Sequence, residues 1–93
     1  MARTERKKPA ELAPAPWPDV ESPSPAGEAA RQFTRKLRNA IGGASLRSAA
    51  ASAGINHATL LKILAGQTWP DLETIAKLET GLKADLWPGR FDR

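Results

Sequence analysis

The chain has 93 residues with 14 basic and 10 acidic side chains, one histidine and no cysteine. That length supports one small domain, since a chain this short buries only about 60 % of the surface its unfolded form exposes. Without cysteine no disulfide or thiolate metal site can staple it, and His57 alone cannot supply the several ligands that zinc needs. No apolar stretch approaches the ~18 residues of a membrane span, and the N-terminus lacks the apolar region of a signal peptide. A soluble, cytoplasmic chain with no membrane contact, no metal and no cofactor is expected.

Alanine supplies 17 residues while tyrosine is absent, a bias that favours helix over strand. Residues 1–30 carry four basic and five acidic side chains, and residues 31–93 carry ten and five, so the net charge divides as −1 and +5. A solvated surface with a basic bias accounts for that split. So does the electrostatic footprint of a nucleic-acid binder.

Residues 1–24 read as a Pro-rich, disordered arm. A basic start at Arg3, Arg6, Lys7 and Lys8 is followed by proline at 9, 14, 16, 18 and 23, which excludes helix and central strand. Trp17, inside Pro14-Ala15-Pro16-Trp17-Pro18, is the exception. It either tucks against the folded part or marks a recognition peptide, and a plain linker is the simplest account.

Residues 25–93 read as the folded domain. Ser24 before Pro25 is an N-cap with proline at the first helical position. Ala26, Ala30, Phe33, Leu37, Ala40 and Ile41 recur at spacings of three and four, and Gly42-Gly43 ends that helix. Arg31, Arg35, Lys36 and Arg38 lie off the stripe, as its wet face. Ser45 caps a second, short helix with Ala49, Ala50 and Ala53 inward, stopped by Gly54.

Asn56 caps a third helix over residues 57–65, closed by Gly66, with Leu60, Ile63 and Leu64 as its buried stripe. Ile55 and Leu60 have the spacing of a hydrophobic staple. Asp71 caps a fourth helix with Leu72, Ile75, Leu78 and Leu82 in register. Leu86, Trp87 and Phe91 allow one more turn before Pro88. The expectation is an all-α bundle of four to five short helices.

Only Gly54-Ile55-Asn56 separates the second helix from the third, and so short a glycine-bearing connection is helix-turn-helix geometry. Residues 45–66 resemble the Cro and phage-repressor (XRE) type of helix-turn-helix. The resemblance rests on Ala50, Gly54, Ile55, Leu60, Ile63 and Gly66, followed by Pro70 and the Leu72/Ile75/Leu78 helix, and it covers about residues 29–87. Two positions depart from the family pattern. Ala49 replaces a larger aliphatic, and Leu64 replaces a glutamate that often pairs with an arginine of the first helix, where Asn39 is the nearest counterpart here.

The resemblance implies a lambda-repressor-like fold and sequence-specific binding of double-stranded DNA, with the third helix in the major groove. The residue chemistry is compatible. His57 and Lys62 can donate to guanine N7 or O6, while Ala58 and Leu61 can meet a thymine methyl. Ser45, Asn56 and Thr59 can hold phosphates through hydroxyl, amide or backbone N–H. Arg47 lies where the family touches the DNA backbone, and Gln67 and Thr68 match its other phosphate-contacting stretch. Each has a plainer account: His57 as an ordinary exposed residue, Lys62 as a solvated charge.

No Ser-His-Asp set, paired carboxylates, phosphate loop or metal cluster is legible, so an enzyme is not expected, and Asp71 and Glu73 are a helix cap and a first-turn charge. The function expected is a transcriptional regulator, a repressor of phage, plasmid or bacterial type. The alternative is an antitoxin or other protein-interaction module on the same fold, with the arm or the last helix covering a protein partner. One such motif reads only a few base pairs, so a homodimer on DNA is expected, paired through Leu86, Trp87 and Phe91. Trp87 could instead close the bottom of the core.

Overall fold

The computed structural model describes residues 6–90, and over them the chain forms four α-helices and one short 3-10 turn, without a strand. The helices are α1 (Pro25–Ile41), α2 (Leu46–Ala53), α3 (His57–Leu64) and α4 (Leu72–Leu82). The all-α class is as expected.

Each helix starts where a short polar side chain accepts from a backbone N–H that the helix itself cannot satisfy. Ser24 Oγ accepts from Gly27 at 3.1 Å, Ser45 Oγ from Ser48 at 3.0 Å, Asn56 Oδ1 from Ala58 at 2.7 Å, and Asp71 Oδ1 from Thr74 at 2.8 Å. The hydrogen bonds from Thr74 hold the Asp71 carboxyl below its ordinary range.

One core joins all four helices: Phe33, Leu37 and Ile41 from α1, the alanines 49, 50 and 53 from α2, Leu60 and Ile63 from α3, and Ile75 and Leu78 from α4. The small α2 face serves α4 above all. A Cβ at Gly81 would lie 2.5 Å from the Ala53 Cα and the Ser52 carbonyl, so the two backbones nearly touch there.

The described residues hold the lower of the two expected numbers of helices. No fifth helix forms among the described residues, and residues 85–90 run as irregular chain. Glu79 fastens them: its Oε2 accepts from the backbone N–H groups of Leu86 at 2.8 Å and Trp87 at 2.9 Å. Those donors, Trp87 first, hold the Glu79 carboxyl below its ordinary range. Leu86 is consequently in the core at 1 % exposure, which removes it from any pairing surface. Trp87 is 55 % exposed, so it does not close the core either. Phe91 lies outside the described residues.

The larger departure is at the other end. Residues 6–24, expected as a disordered arm, run as a strap across α1 and the C-terminal end of α3. Pro9–Leu12 makes the 3-10 turn, and both Pro9 and Pro18 are buried. The Ala10 N–H donates to the Gly66 carbonyl at 2.9 Å, and the Trp69 indole donates to the Lys7 carbonyl at 2.8 Å.

A buried ion pair completes the attachment. Arg31, expected on the wet face of α1, is 2 % exposed: its Nη2 meets Glu28 Oε2 at 2.8 Å and its Nη1 donates to the Pro18 carbonyl at 3.1 Å. Glu28 Oε1 also accepts from the Ser22 N–H at 2.9 Å. The Arg31 hydrogen bond, opposed by burial and aided by Ser22 and Gln32, holds the Glu28 carboxyl down to about 2. Proline content excluded regular structure in this segment but did not exclude packing, because proline has little conformational entropy to lose on burial. Residues 1–5, Arg3 among them, lie outside the described residues.

Candidate nucleic-acid interface

Gly54 makes the bend between α2 and α3, with φ 70° and its N–H returned to the Ala50 and Ala51 carbonyls. Left-handed backbone of this kind is strained for a side chain bearing a Cβ. Ile55, half-buried, packs on the core at this corner, and its N–H bonds the Ala50 carbonyl at 3.0 Å. Residues 46–64 therefore form two short helices joined by a three-residue turn, as the spacing predicts.

α3 buries Leu60 and Ile63, at 0 % and 2 % exposure, and turns its opposite side to solvent. Ala58, Leu61, Lys62 and Ala65 are exposed there at helical spacing, with Leu61 at 42 %. His57 and Thr59 are half-buried, so they border that side rather than crown it. Leu64, expected in the buried stripe, is only half-buried.

Ser45, Arg47 and Asn56 are exposed at the starts of α2 and α3. The cap bonds described above use the Ser45 and Asn56 oxygens as acceptors, which leaves the Ser45 hydroxyl proton and the Asn56 amide N–H₂ as donors. Gln67 is exposed and Thr68 half-buried in the α3–α4 loop. Neither Arg47 nor Lys62 makes an ion pair among the described residues. No group of His, Cys, Asp or Glu among them could hold a metal ion, and no described helix is long and apolar enough to cross a membrane.

The basic start at Arg6, Lys7 and Lys8 is legible in the sequence, but its placement against this interface is not. Arg6, Lys7 and Lys8 are exposed beside the α3–α4 loop, with Lys8 Nζ donating to Gln67 Oε1 at 3.4 Å. The Arg6 guanidinium sits 5.0 Å from the Trp69 ring centroid, a cation–π distance. The available signal was Trp17, a large apolar residue in a stretch otherwise too small-sided to pack.

A helix-turn-helix family model matches residues 35–86, more than half of the chain and clear of the strap. No curated protein matches the sequence. Among solved structures, the chain is similar to the restriction-modification controller protein C.AhdI from Aeromonas hydrophila. The TM-score is 0.53 at 27 % identity, over 58 % of this chain and 85 % of that one. With the capped helix pair, the glycine bend and the exposed α3 side already in place, the chain belongs to the XRE type of helix-turn-helix DNA-binding regulators.

Proposed function

We propose that the protein is a sequence-specific transcriptional regulator, a repressor, that binds duplex DNA as a symmetric dimer with α3 in the major groove. The observation that carries this reading is the exposed side of α3. Leu61 is an aliphatic side chain left 42 % exposed between an exposed lysine and two alanines, on a short helix whose other side buries Leu60 and Ile63. A thymine methyl suits Leu61 and Ala58, and a guanine edge suits Lys62 and His57. The donors at Ser45, Arg47, Asn56, Thr59, Gln67 and Thr68 border this side and suit backbone phosphates, which fix register without reading sequence.

Pairing is supported by a second surface. Trp87 and Leu72, which is 77 % exposed, rim an apolar groove between α1 and the start of α4, lined also by Ala26, Ala29 and Phe33. A second copy is the occupant in this reading, with each copy reading one half-site about one helical turn from the other. The same groove favours the alternative of a protein-interaction module, in which another protein occupies it.

Selection of bound duplexes from a random library tests the proposal. A recovered motif with two-fold symmetry and two chains per duplex is the expected result. Recovery of no motif at low salt would overturn it.

A further inference from the structure

The strap brings positive charge to the edge of the proposed DNA interface. Arg6, Lys7 and Lys8 are consecutive and exposed, and three contacts hold them against the α3–α4 loop rather than leaving them free. The Trp69 indole donates to the Lys7 carbonyl at 2.8 Å, the Arg6 guanidinium lies 5.0 Å from the Trp69 ring centroid, and Lys8 Nζ reaches Gln67 Oε1 at 3.4 Å. Two residues on, the Ala10 N–H bonds the Gly66 carbonyl at 2.9 Å, in the turn that follows α3. The nearest described carboxylate on the strap, Glu11, is engaged by the Lys8 backbone N–H at 2.7 Å, so it is turned to its own segment.

We infer that Arg6, Lys7 and Lys8, held beside Gln67 by the docked strap, form a phosphate-binding extension of the DNA interface that reaches backbone beyond the bases read by α3. The inference rests on the DNA-binding reading above. Three donors of one sign, pre-positioned next to a loop proposed to meet a phosphate, match the repeating negative charge of a duplex backbone. The strap gives up its chain entropy on folding, so less ordering remains to be done when DNA binds. Because phosphates carry no sequence information, the extension raises affinity for every duplex alike.

The test is the salt dependence of binding, for the full chain and for the Arg6→Ala/Lys7→Ala/Lys8→Ala variant, on the selected duplex and on a random one. Each phosphate contact contributes about 0.9 to the slope of log K against log salt, so a slope lower by about 2 to 3 on both duplexes is expected. If the melting temperature of that variant falls, the pair Lys7→Gln/Lys8→Gln carries the test, because it keeps the Arg6–Trp69 stack and every backbone hydrogen bond. A slope lower by about 2 is then expected. An unchanged slope in a folded variant, with the unsubstituted chain still binding, overturns the inference and leaves the DNA-binding reading intact. A chain that binds no duplex even at low salt overturns both.

Discussion

The indole N–H of Trp17 donates to the main-chain carbonyl of Leu64 across 3.2 Å, joining residues 47 positions apart. Leu64 ends α3, where the last carbonyls lack intrahelical partners, so the strap supplies a donor that the helix cannot. The strap and the proposed reading helix are thereby one mechanical unit. Trp17→Ala should cost about 2 kcal/mol, below the usual range for a buried Trp because the ring is half-buried here. For a domain this small that lowers the melting temperature by roughly 8 to 16 °C, and thermal denaturation followed by circular dichroism checks it. Deleting residues 1–24 should cost at least as much.

Gly66 separates two effects that usually come together. Its φ is +69°, and a Cβ there would stand 2.7 Å from Trp17 Cε2 and 2.8 Å from the Ala10 Cβ. Gly54 has nearly the same φ, +70°, and open space around the missing Cβ. Gly54→Ala should therefore cost about 1–2 kcal/mol from backbone conformation alone. Gly66→Ala should cost clearly more, because it must also displace the indole. In the Trp17→Ala background the part of that excess due to the indole should disappear while the part due to the Ala10 Cβ remains, and chemical denaturation of the four chains measures the coupling.

Acid should loosen the strap through Glu28. Its folded pKa, about 2, lies below the ordinary 4.5, so the stabilisation is fully present above about pH 4.5 and fades as pH falls toward 2. A depression of this size corresponds to a contribution on the order of 3 kcal/mol. The wild type should lose stability between pH 4.5 and 2, and Glu28→Gln should start less stable and show a flatter profile there. Chemical denaturation at stepped pH gives both curves.

Trp87→Ala should leave thermal stability nearly unchanged, since the ring is 55 % exposed and its N–H, bonded to Glu79, is retained. On the selected duplex it should weaken cooperative binding of the second chain. Native mass spectrometry of the complex counts the chains directly.

Much of the bundle is legible in the sequence because its determinants are local. Ser24, Ser45, Asn56 and Asp71 announce helix starts through chemistry that acts two or three residues ahead, and Gly54 announces the bend. The strap is not legible, since Trp17 finds its partner 47 residues away and Arg31 finds its second one at Pro18, 13 residues back on a segment without regular structure. Helical spacing also overstates the α4 stripe: Leu72 is in register with Ile75, yet it is the first residue of the helix and projects past the core at 77 % exposure. The reverse holds for Leu86, whose burial depends on Glu79 capturing its N–H. For the proposed site, spacing alone marks Ala58, Leu61 and Lys62 as exposed, whereas it gives no hint that Arg6, Lys7 and Lys8 lie against Gln67.

Base reading by α3 is tested by comparing Lys62→Ala and His57→Ala on the selected duplex and on a random one of equal length. Each variant should lose about 1–3 kcal/mol on the selected duplex and far less on the random one, with its melting temperature unchanged. Equal losses on both duplexes would make these residues phosphate contacts. Unchanged affinity for the selected duplex in both variants would contradict the placement of α3 in the groove.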